Sequence, residues 1–223
     1  MSDLTIRGAI FDMDGTLLDS MPIWVHYAST YLASRGITPP PGLDEEIATY
    51  TIADAIDYLR ERFGLPETRE ELLAGVARMT DDLYGRILPK SGVPELLERL
   101  HRAGVPMAVA TMTERPVVEK TLQRLGLLRY FTAIFTCAEV GARKNTPVIY
   151  EAAMAALGTR REETAVFEDA WYAVKTASAA GFPVVAIYDE SSGAHWEKAK
   201  AVAALAVRDY AVVPWEDYLG EKP

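Results

Sequence analysis

The sequence contains little cysteine and histidine, and its charge is strongly acidic. A single cysteine, Cys137, excludes an internal disulfide, which fits a reducing compartment. Three histidines scattered along 223 residues argue against a zinc cluster. The formal net charge of −9 would repel phosphate backbones, so no nucleic-acid partner is expected.

Long apolar runs and several common motifs are also missing. No stretch of about 18 uncharged apolar residues exists, so no membrane partner is expected. The first residues show no signal-peptide pattern, and we therefore expect a cytoplasmic protein. The dinucleotide and phosphate-loop glycine patterns, the His-Glu-x-x-His zinc motif and the nucleophile elbow are absent as well. No feature of the sequence indicates an obligate protein partner.

Short apolar runs alternate with helical patterns along most of the chain. The runs predict buried strands at residues 6–11, 105–111, 133–136, 164–167 and 183–188. The helical patterns, each followed by a glycine, cover residues 94–103, 115–125, 147–157 and 170–180. This alternation predicts an α/β fold with a doubly wound parallel sheet.

One segment near the N-terminus breaks this alternation. Helical patterns at residues 21–34, 43–50, 52–63 and 67–86 follow one another without a strand between them. We therefore predict a discontinuous α/β core of residues 1–19 and 88–223, interrupted by an all-helical insert of residues 20–87. Residues 214–223 are expected to form a peripheral tail.

Polar side chains follow four of the predicted strands. Ligands bind outside the carboxyl ends of the strands in an open parallel sheet. The residues at those ends are Asp12 and Asp14 after the first strand, Thr111 after the second, Lys144 after the third, and Glu168 and Asp169 after the fourth.

These residue types suit phosphoryl transfer. Asp12 could attack a phosphorus atom while Asp14, its proton affinity raised by neighbouring carboxylates, acts as general acid and base. Glu168 and Asp169 offer the oxygen ligands that Mg²⁺ prefers. A threonine hydroxyl, Thr111, can hydrogen-bond a phosphoryl oxygen, and the Lys144 ammonium can neutralise it; these two residues complete the predicted catalytic set.

Each of these features also has an ordinary structural explanation. Asp-x-Asp-Gly is common in acidic turns, and Glu168 with Asp169 could cap a helix. A strand-end hydroxyl and a solvated loop lysine are likewise common. Their arrival at successive strand ends favours a functional site.

The same residues resemble the haloacid dehalogenase superfamily, and more closely its branch of β-phosphoglucomutases and phosphoglycolate phosphatases. The matching motifs are residues 12–20, Thr111, Lys144 and residues 167–169. The resemblance implies a Rossmann-like core with an α-helical cap that closes over it, excludes water and selects the substrate. It also implies a phosphoaspartyl intermediate on Asp12. It further implies a Mg²⁺ ion held by Asp12, the Asp14 backbone carbonyl, Asp169 and often Glu168.

Three positions depart from the family pattern. Met112 replaces a small polar residue or asparagine, and Val148 replaces an acidic residue that often holds the lysine. Ala170-Trp171-Tyr172-Ala173 replaces Ser-x-x-Gly. The two aromatic rings either narrow the site or pack beneath the cap, and the sequence leaves both possibilities open.

Single residues separate the activities within the superfamily. Asp14 argues for phosphoryl transfer rather than dehalogenation, and Lys90, the first lysine of the chain, comes after the insert, so a Schiff-base mechanism lacks its cap lysine. Trp24 and Ile52 stand where mutases carry a histidine and an arginine. We therefore expect a Mg²⁺-dependent phosphatase. A sugar phosphomutase and a non-catalytic binding or regulatory protein remain the alternatives.

The expected substrate is a small phosphorylated metabolite, such as a sugar phosphate. Aromatic side chains of the insert could stack on a flat face of such a molecule. The candidate substrate-binding residues are Thr16, Ser20, Trp24, Tyr50 and Thr113.

Overall fold

A six-stranded parallel sheet forms the centre of the larger of two compact units. The computed structural model describes residues 4–47, 50 and 52–219. The strands are β1 (Gly8–Phe11), β2 (Met107–Thr111), β3 (Ala133–Thr136), β4 (Thr164–Glu168), β5 (Val184–Ile187) and β6 (Leu205–Val207). Their spatial order is β3-β2-β1-β4-β5-β6, and every neighbouring pair is parallel. The predicted doubly wound sheet is confirmed.

Helices follow the strands in the core and make up the second unit. They are α1 (Met21–Val25), α2 (Tyr27–Ser34), α3 (Leu43–Ile47), α4 (Ile52–Phe63), α5 (Arg69–Tyr84), α6 (Val93–Arg102), α7 (Arg115–Arg124), α8 (Cys137–Val140), α9 (Val148–Leu157), α10 (Trp171–Ala179) and α11 (Trp196–Val202). Short 3₁₀ helices cover Leu128–Tyr130, Arg161–Glu163, Glu190–His195, Tyr210–Val212 and Trp215–Tyr218. None of the helices within the described ranges is long and apolar enough to cross a membrane.

The two units coincide with a break in the chain's α/β alternation. One unit comprises Met1–Asp19 with Leu88–Pro223, and the other comprises Ser20–Ile87. In the first, the strands β1, β2, β4 and β5 are buried along their whole length, as expected for parallel strands covered by helices on both faces. In the second, the described elements are the helices α1 to α5. That this helical unit acts as a cap stays a prediction.

The helical unit differs from the sequence prediction at its helix ends. The predicted helix 21–34 is two helices, because the Asp44 carboxylate accepts hydrogen bonds from the backbone N–H groups of Ala28 and Ser29 and so caps a second start. The predicted helix 67–86 begins at Arg69, where Thr68 and Glu71 form a reciprocal capping box. Residues 48 and 49 of the predicted helix 43–50 lie outside the described residues.

The prediction of a peripheral C-terminal tail is wrong for residues 214–219. The Trp215 ring is buried beside Phe167 of β4, and its indole N–H donates to the Tyr210 carbonyl at 2.9 Å. The Ile6 amide donates to the Tyr218 carbonyl at 2.8 Å. Burial of a large aromatic side chain such as Trp215 stabilises the folded state by more than the conformational entropy that the segment loses on packing against the core. Residues 220–223 lie outside the described residues.

The two chain segments next to the helical unit pair with each other on the core side. The Asp19 amide donates to the Leu88 carbonyl at 3.1 Å, and the Lys90 amide donates to the Leu17 carbonyl at 2.9 Å. The Lys90 ammonium then reaches the buried Asp189 carboxylate after β5, at 2.7 Å. The ion pair therefore ties the returning segment to the end of β5.

We expect Lys90→Met to lower the free energy of unfolding by about 2–4 kcal/mol, because it leaves the buried Asp189 carboxylate without its cation. Urea unfolding followed by circular dichroism measures this difference. Lys175→Met, at an exposed position on α10, is the matched control and should change stability by no more than about 0.5 kcal/mol. Equal stabilities for the two variants would contradict a stabilising role for the pair.

Candidate active site

The end of β1 lies at the topological switch point of the sheet, where the order in which strands are added reverses. β2 and β3 continue on one side of β1, whereas β4, β5 and β6 continue on the other. Ligands bind at such switch points, outside the carboxyl ends of the strands. Asp12 follows β1, and its amide donates to the Phe167 carbonyl of β4 at 3.0 Å. The register brings Asp12 next to Glu168, the last residue of β4.

A tight loop follows Asp12 and closes on itself. The amides of Leu17 and Leu18 both donate to the Met13 carbonyl at 2.9 Å, and the Gly15 amide donates to the Leu18 carbonyl at 3.0 Å. Gly15 has a φ of 77°, which glycine adopts without the steric cost of a side chain. The loop therefore fixes the backbone on which Asp14 lies.

Thr16 connects this loop to the end of β4. Its side chain is buried, and its hydroxyl donates to Asp169 Oδ1 at 3.1 Å. The Tyr210 hydroxyl in turn donates to the Thr16 carbonyl at 3.1 Å. Thr16 thus orients a carboxylate in this structure, and its predicted contact with substrate stays a prediction.

Lys144 lies at the centre of a buried ionic cluster. Its ammonium donates to Asp12 Oδ1 at 2.5 Å and to Glu168 Oε1 at 2.6 Å. The Tyr150 hydroxyl of α9 donates to the same Glu168 oxygen at 3.0 Å. Burial alone would lower the pKa of Lys144, but the Asp12 and Glu168 carboxylates raise it well above its usual range. The ammonium therefore remains charged at neutral pH.

Two threonines join the loop after β2 to the loop after β1. The Thr113 hydroxyl donates to Asp14 Oδ2 at 2.6 Å, and the Thr113 amide donates to Thr111 Oγ1 at 3.1 Å. Thr111 is buried at the end of β2. The predicted acid–base carboxylate is thus held by a side chain from the neighbouring strand end.

Three buried carboxylates in the site would accommodate a divalent cation. Asp12, Glu168 and Asp169 each offer an oxygen within 4.8 Å of the others. Burial raises the pKa of Asp12 to about 7, with neighbouring Glu168 and Asp14 adding to the rise and Lys144 opposing it. Burial likewise raises the pKa of Asp169 well above its usual range, and Glu168 adds to it.

One ammonium cannot balance three ionised carboxylates, so without a further cation the cluster retains protons, as the raised pKa values of Asp12 and Asp169 indicate. A hard divalent cation would supply the missing charge, and an all-oxygen donor set suits such an ion. The Asp14 carboxylate, bound by Thr113, is not one of the three grouped oxygens. Its predicted contribution through the backbone carbonyl stays a prediction.

The remaining predicted substrate-binding residues lie in the helical unit. Ser20 is buried at its start. Trp24 stacks on Tyr27, and its indole N–H donates to the Tyr84 hydroxyl at 2.9 Å. Tyr50 is exposed. Trp24 and Tyr50 both line a cavity of about 210 Å³ formed by residues of this unit. Their contact with substrate stays a prediction.

The geometry agrees with a comparison to known protein families. The sequence model of the haloacid dehalogenase-like hydrolases matches residues 9–187, which include Asp12, Lys144 and Asp169. The chain belongs to the haloacid dehalogenase-like hydrolases. This confirms the predicted family and, together with the named relatives, the predicted class of enzyme, a hydrolase of the phosphatase type.

Two curated relatives of this hydrolase carry phosphatase names. A phosphoglycolate phosphatase from Yersinia pseudotuberculosis is 28% identical over 190 residues, covering 82% of this chain and 81% of that protein. The fructose-1-phosphate phosphatase YqaB from Escherichia coli is 31% identical over 184 residues, covering 80% of this chain and 94% of that protein.

A solved structure shares the fold. CbbY from Rhodobacter sphaeroides, solved in complex with xylulose 1,5-bisphosphate, superimposes with a TM-score of 0.75 and 21% identity. The match covers 94% of this chain and 97% of that one. At this level of identity the likeness concerns the fold alone.

Sequence reasoning missed two buried tyrosines that support the site of this hydrolase. Tyr150 lies on the buried face of α9 and binds Glu168, while Tyr210 binds the loop after β1. The signal for Tyr150 was a tyrosine among apolar residues of a core helix, because a buried phenol needs a hydrogen-bond partner. The family resemblance implied an acidic partner for Lys144 at position 148, where this chain has Val148; in this structure Asp12 and Glu168 hold the lysine.

We expect Tyr150→Phe to weaken divalent-cation binding by about 10–100-fold, because the hydroxyl that orients Glu168 is lost while the ring remains. Calorimetric titration with Mg²⁺ or Mn²⁺ measures the affinity directly. Tyr130→Phe is the matched control, since the Tyr130 hydroxyl donates instead to Glu98. Equal cation affinities for the two variants would show that the Tyr150 hydroxyl does not orient Glu168 for cation binding.

Proposed function

We propose that this hydrolase releases inorganic phosphate from a small phosphate monoester, using Asp12 as nucleophile and Mg²⁺ as cofactor. The observation that carries the proposal is the buried Asp12 carboxylate, held by Lys144 at the end of the central strand β1. A carboxylate fixed by a charged donor at a switch point is positioned to attack a ligand bound there.

In the first step, an oxygen of Asp12 attacks the phosphorus atom and the bond from phosphorus to the ester oxygen breaks. Asp14, oriented by Thr113, donates its proton to the leaving alkoxide, which departs as the alcohol. The product on the enzyme is an acyl phosphate on Asp12.

In the second step, a water molecule attacks the phosphorus atom of the acyl phosphate. Asp14, now ionised, accepts a proton from that water, and the bond between phosphorus and the Asp12 oxygen breaks. Inorganic phosphate leaves, and both carboxyl groups return to their starting states. One residue can serve as acid and then as base because the second step reverses its proton transfer.

Asp12, Glu168 and Asp169 would hold the Mg²⁺ ion, which neutralises charge on the phosphoryl oxygens when it is bound. The chain's own residues perform the remaining tasks. Lys144 keeps Asp12 in one orientation, Thr16 orients Asp169, and the Thr111 hydroxyl holds the loop that carries Thr113.

The names of the relatives support a small anionic substrate. A phosphoglycolate phosphatase and a fructose-1-phosphate phosphatase both match about four fifths of this chain. We infer that a small phosphorylated metabolite is the substrate here as well.

Phosphate release from a panel of phosphorylated metabolites, measured with Mg²⁺ and with EDTA, tests the proposal. Release that requires Mg²⁺ is the expected result. Conversion of β-glucose 1-phosphate to the 6-phosphate in the presence of a bisphosphate, without net phosphate release, would indicate a mutase instead. The absence of both activities would indicate a non-catalytic binding protein.

A further inference from the structure

Two large apolar side chains are exposed and contact each other at the carboxyl edge of the sheet. Met112 is 52% exposed and Tyr172 is 47% exposed. The Tyr172 hydroxyl donates to the Met112 sulfur at 3.2 Å. We call this pair the Met112–Tyr172 rim.

The strand order places the rim beside the candidate nucleophile. Met112 directly follows β2, and Tyr172 lies in the first turn of α10, just after β4. Because β1 lies between β2 and β4, a contact between these two loops spans the end of β1. Asp12 and Asp14 follow β1 at this edge of the sheet.

Other contacts of the same loops connect the rim to the site. Met112 lies between Thr111 and Thr113, and Thr113 holds the Asp14 carboxylate. Although about half of the Tyr172 side chain is exposed, its partial desolvation raises the pKa of the phenol, and the Glu168 carboxylate raises it further. The phenol therefore stays protonated and neutral at physiological pH.

A thioether and a phenol ring cannot bind a phosphate anion as a cation does. Exposed apolar groups that contact each other beside a polar site are instead typical of a ligand-binding surface, and methionine sulfur and aromatic faces both contact rings and aliphatic groups favourably. The polar groups next to the rim already serve the carboxylates and the phosphoryl group. The remaining part of a bound ester that the rim could contact is therefore the organic group esterified to the phosphate.

We propose that the Met112–Tyr172 rim contacts the leaving group of the ester and favours an apolar or aromatic leaving group over one that carries a carboxylate. This inference rests on the proposed phosphatase function and narrows its substrate class. The rim determines specificity and takes no part in the chemical steps.

The test compares phenyl phosphate with phosphoglycolate as substrates of the wild type, Met112→Asn and Tyr172→Gln. Each variant should lower kcat/KM for phenyl phosphate by about 10-fold, mainly through KM, because the contact forms in the ground state. For phosphoglycolate, kcat/KM should change by less than about 3-fold. For each substrate, kcat/KM of the variant is divided by that of the wild type, so the difference in intrinsic reactivity between the two substrates cancels. The matched control is Val212→Asn, which replaces an exposed apolar side chain elsewhere on the surface of the larger unit.

Parallel losses for both substrates, or an unchanged ratio, would overturn the inference. Failure of the wild type to release phosphate from these two compounds and from every member of the metabolite panel would overturn the proposed function, but the rim could still be tested. In that case the affinities for benzylphosphonate and phosphonoacetate, which are not hydrolysed, are measured by calorimetry. The inference requires Met112→Asn to lower the affinity for benzylphosphonate by about 10-fold and to leave the affinity for phosphonoacetate unchanged. Equal affinities in wild type and variant would contradict it.

Discussion

Asp12→Asn is expected to lower the rate of phosphate release by at least about 10⁴-fold, because an amide oxygen cannot replace the carboxylate as nucleophile. The amide has nearly the same shape, and Lys144 keeps its second partner, Glu168, so the fold should persist. Phosphate release with saturating Mg²⁺ measures the effect, and circular dichroism checks the fold.

Asp217→Asn is the matched control for this substitution. Asp217 is an exposed aspartate of the same unit, and its variant should retain the wild-type rate. An Asp12→Asn variant that turns over within about 10-fold of wild type would rule out nucleophilic attack by Asp12. Loss of activity together with loss of the circular dichroism signal would indicate a folding defect, which Asp12→Glu would then separate from the chemical one.

Without a divalent cation, the protein is expected to become less stable as the pH rises from about 4 to 7. Asp12 has an ordinary pKa of 3.8 and a folded-state pKa of about 7, raised by burial. Between these values the folded state holds a proton that the unfolded chain has released, so raising the pH favours unfolding. The expected cost is about 2.5 kcal/mol between pH 5 and pH 7.5. Asp169, whose pKa is also raised, acts in the same direction.

Urea unfolding in EDTA at pH 5 and pH 7.5 measures this loss. The stability difference between wild type and Asp12→Asn isolates the contribution of the one carboxyl group, because other titrating groups are common to both. Mg²⁺ at about 100 times its Kd should restore about 2.7 kcal/mol at pH 7.5, since it binds only the folded state. A stability difference that does not change with pH would show that burial does not raise the pKa of Asp12. Stability that does not respond to Mg²⁺ would show that the cluster does not bind the cation.

The alternation of apolar runs with glycine-terminated helices was enough to predict the sheet. Continuous apolar segments such as residues 107–111 are buried along their whole length, and an uninterrupted apolar run in the sequence indicates this burial. The edge strand β6, Leu205–Val207, was not predicted, because three residues in an alanine-rich segment are equally compatible with a helix. Edge strands need tertiary pairing to define them.

The candidate site residues were predicted because phosphoryl transfer requires carboxylates, a cation and hydroxyls at strand ends, and the structure brings several of them together. Their partners were not predicted. Lys144 was expected to contact a phosphoryl oxygen, and in the structure it binds Asp12 and Glu168. Asp189 carries no local pattern that marks it as a supporting residue, and the apolar surroundings of Tyr150 in α9 indicate that its hydroxyl needs a partner but not which one.

The sequence by itself determined which strand ends carry the polar residues, because hydrophobic periodicity and motif spacing are local properties of the chain. Only the tertiary structure decided which of these groups meet. The order β3-β2-β1-β4 brings Lys144, from the loop after β3, to Asp12 and Glu168. The same order joins Met112 to Tyr172, which lie 60 residues apart. Such contacts depend on how parallel strands are ordered in the sheet, and that order is set by the packing of the whole core rather than by any one segment.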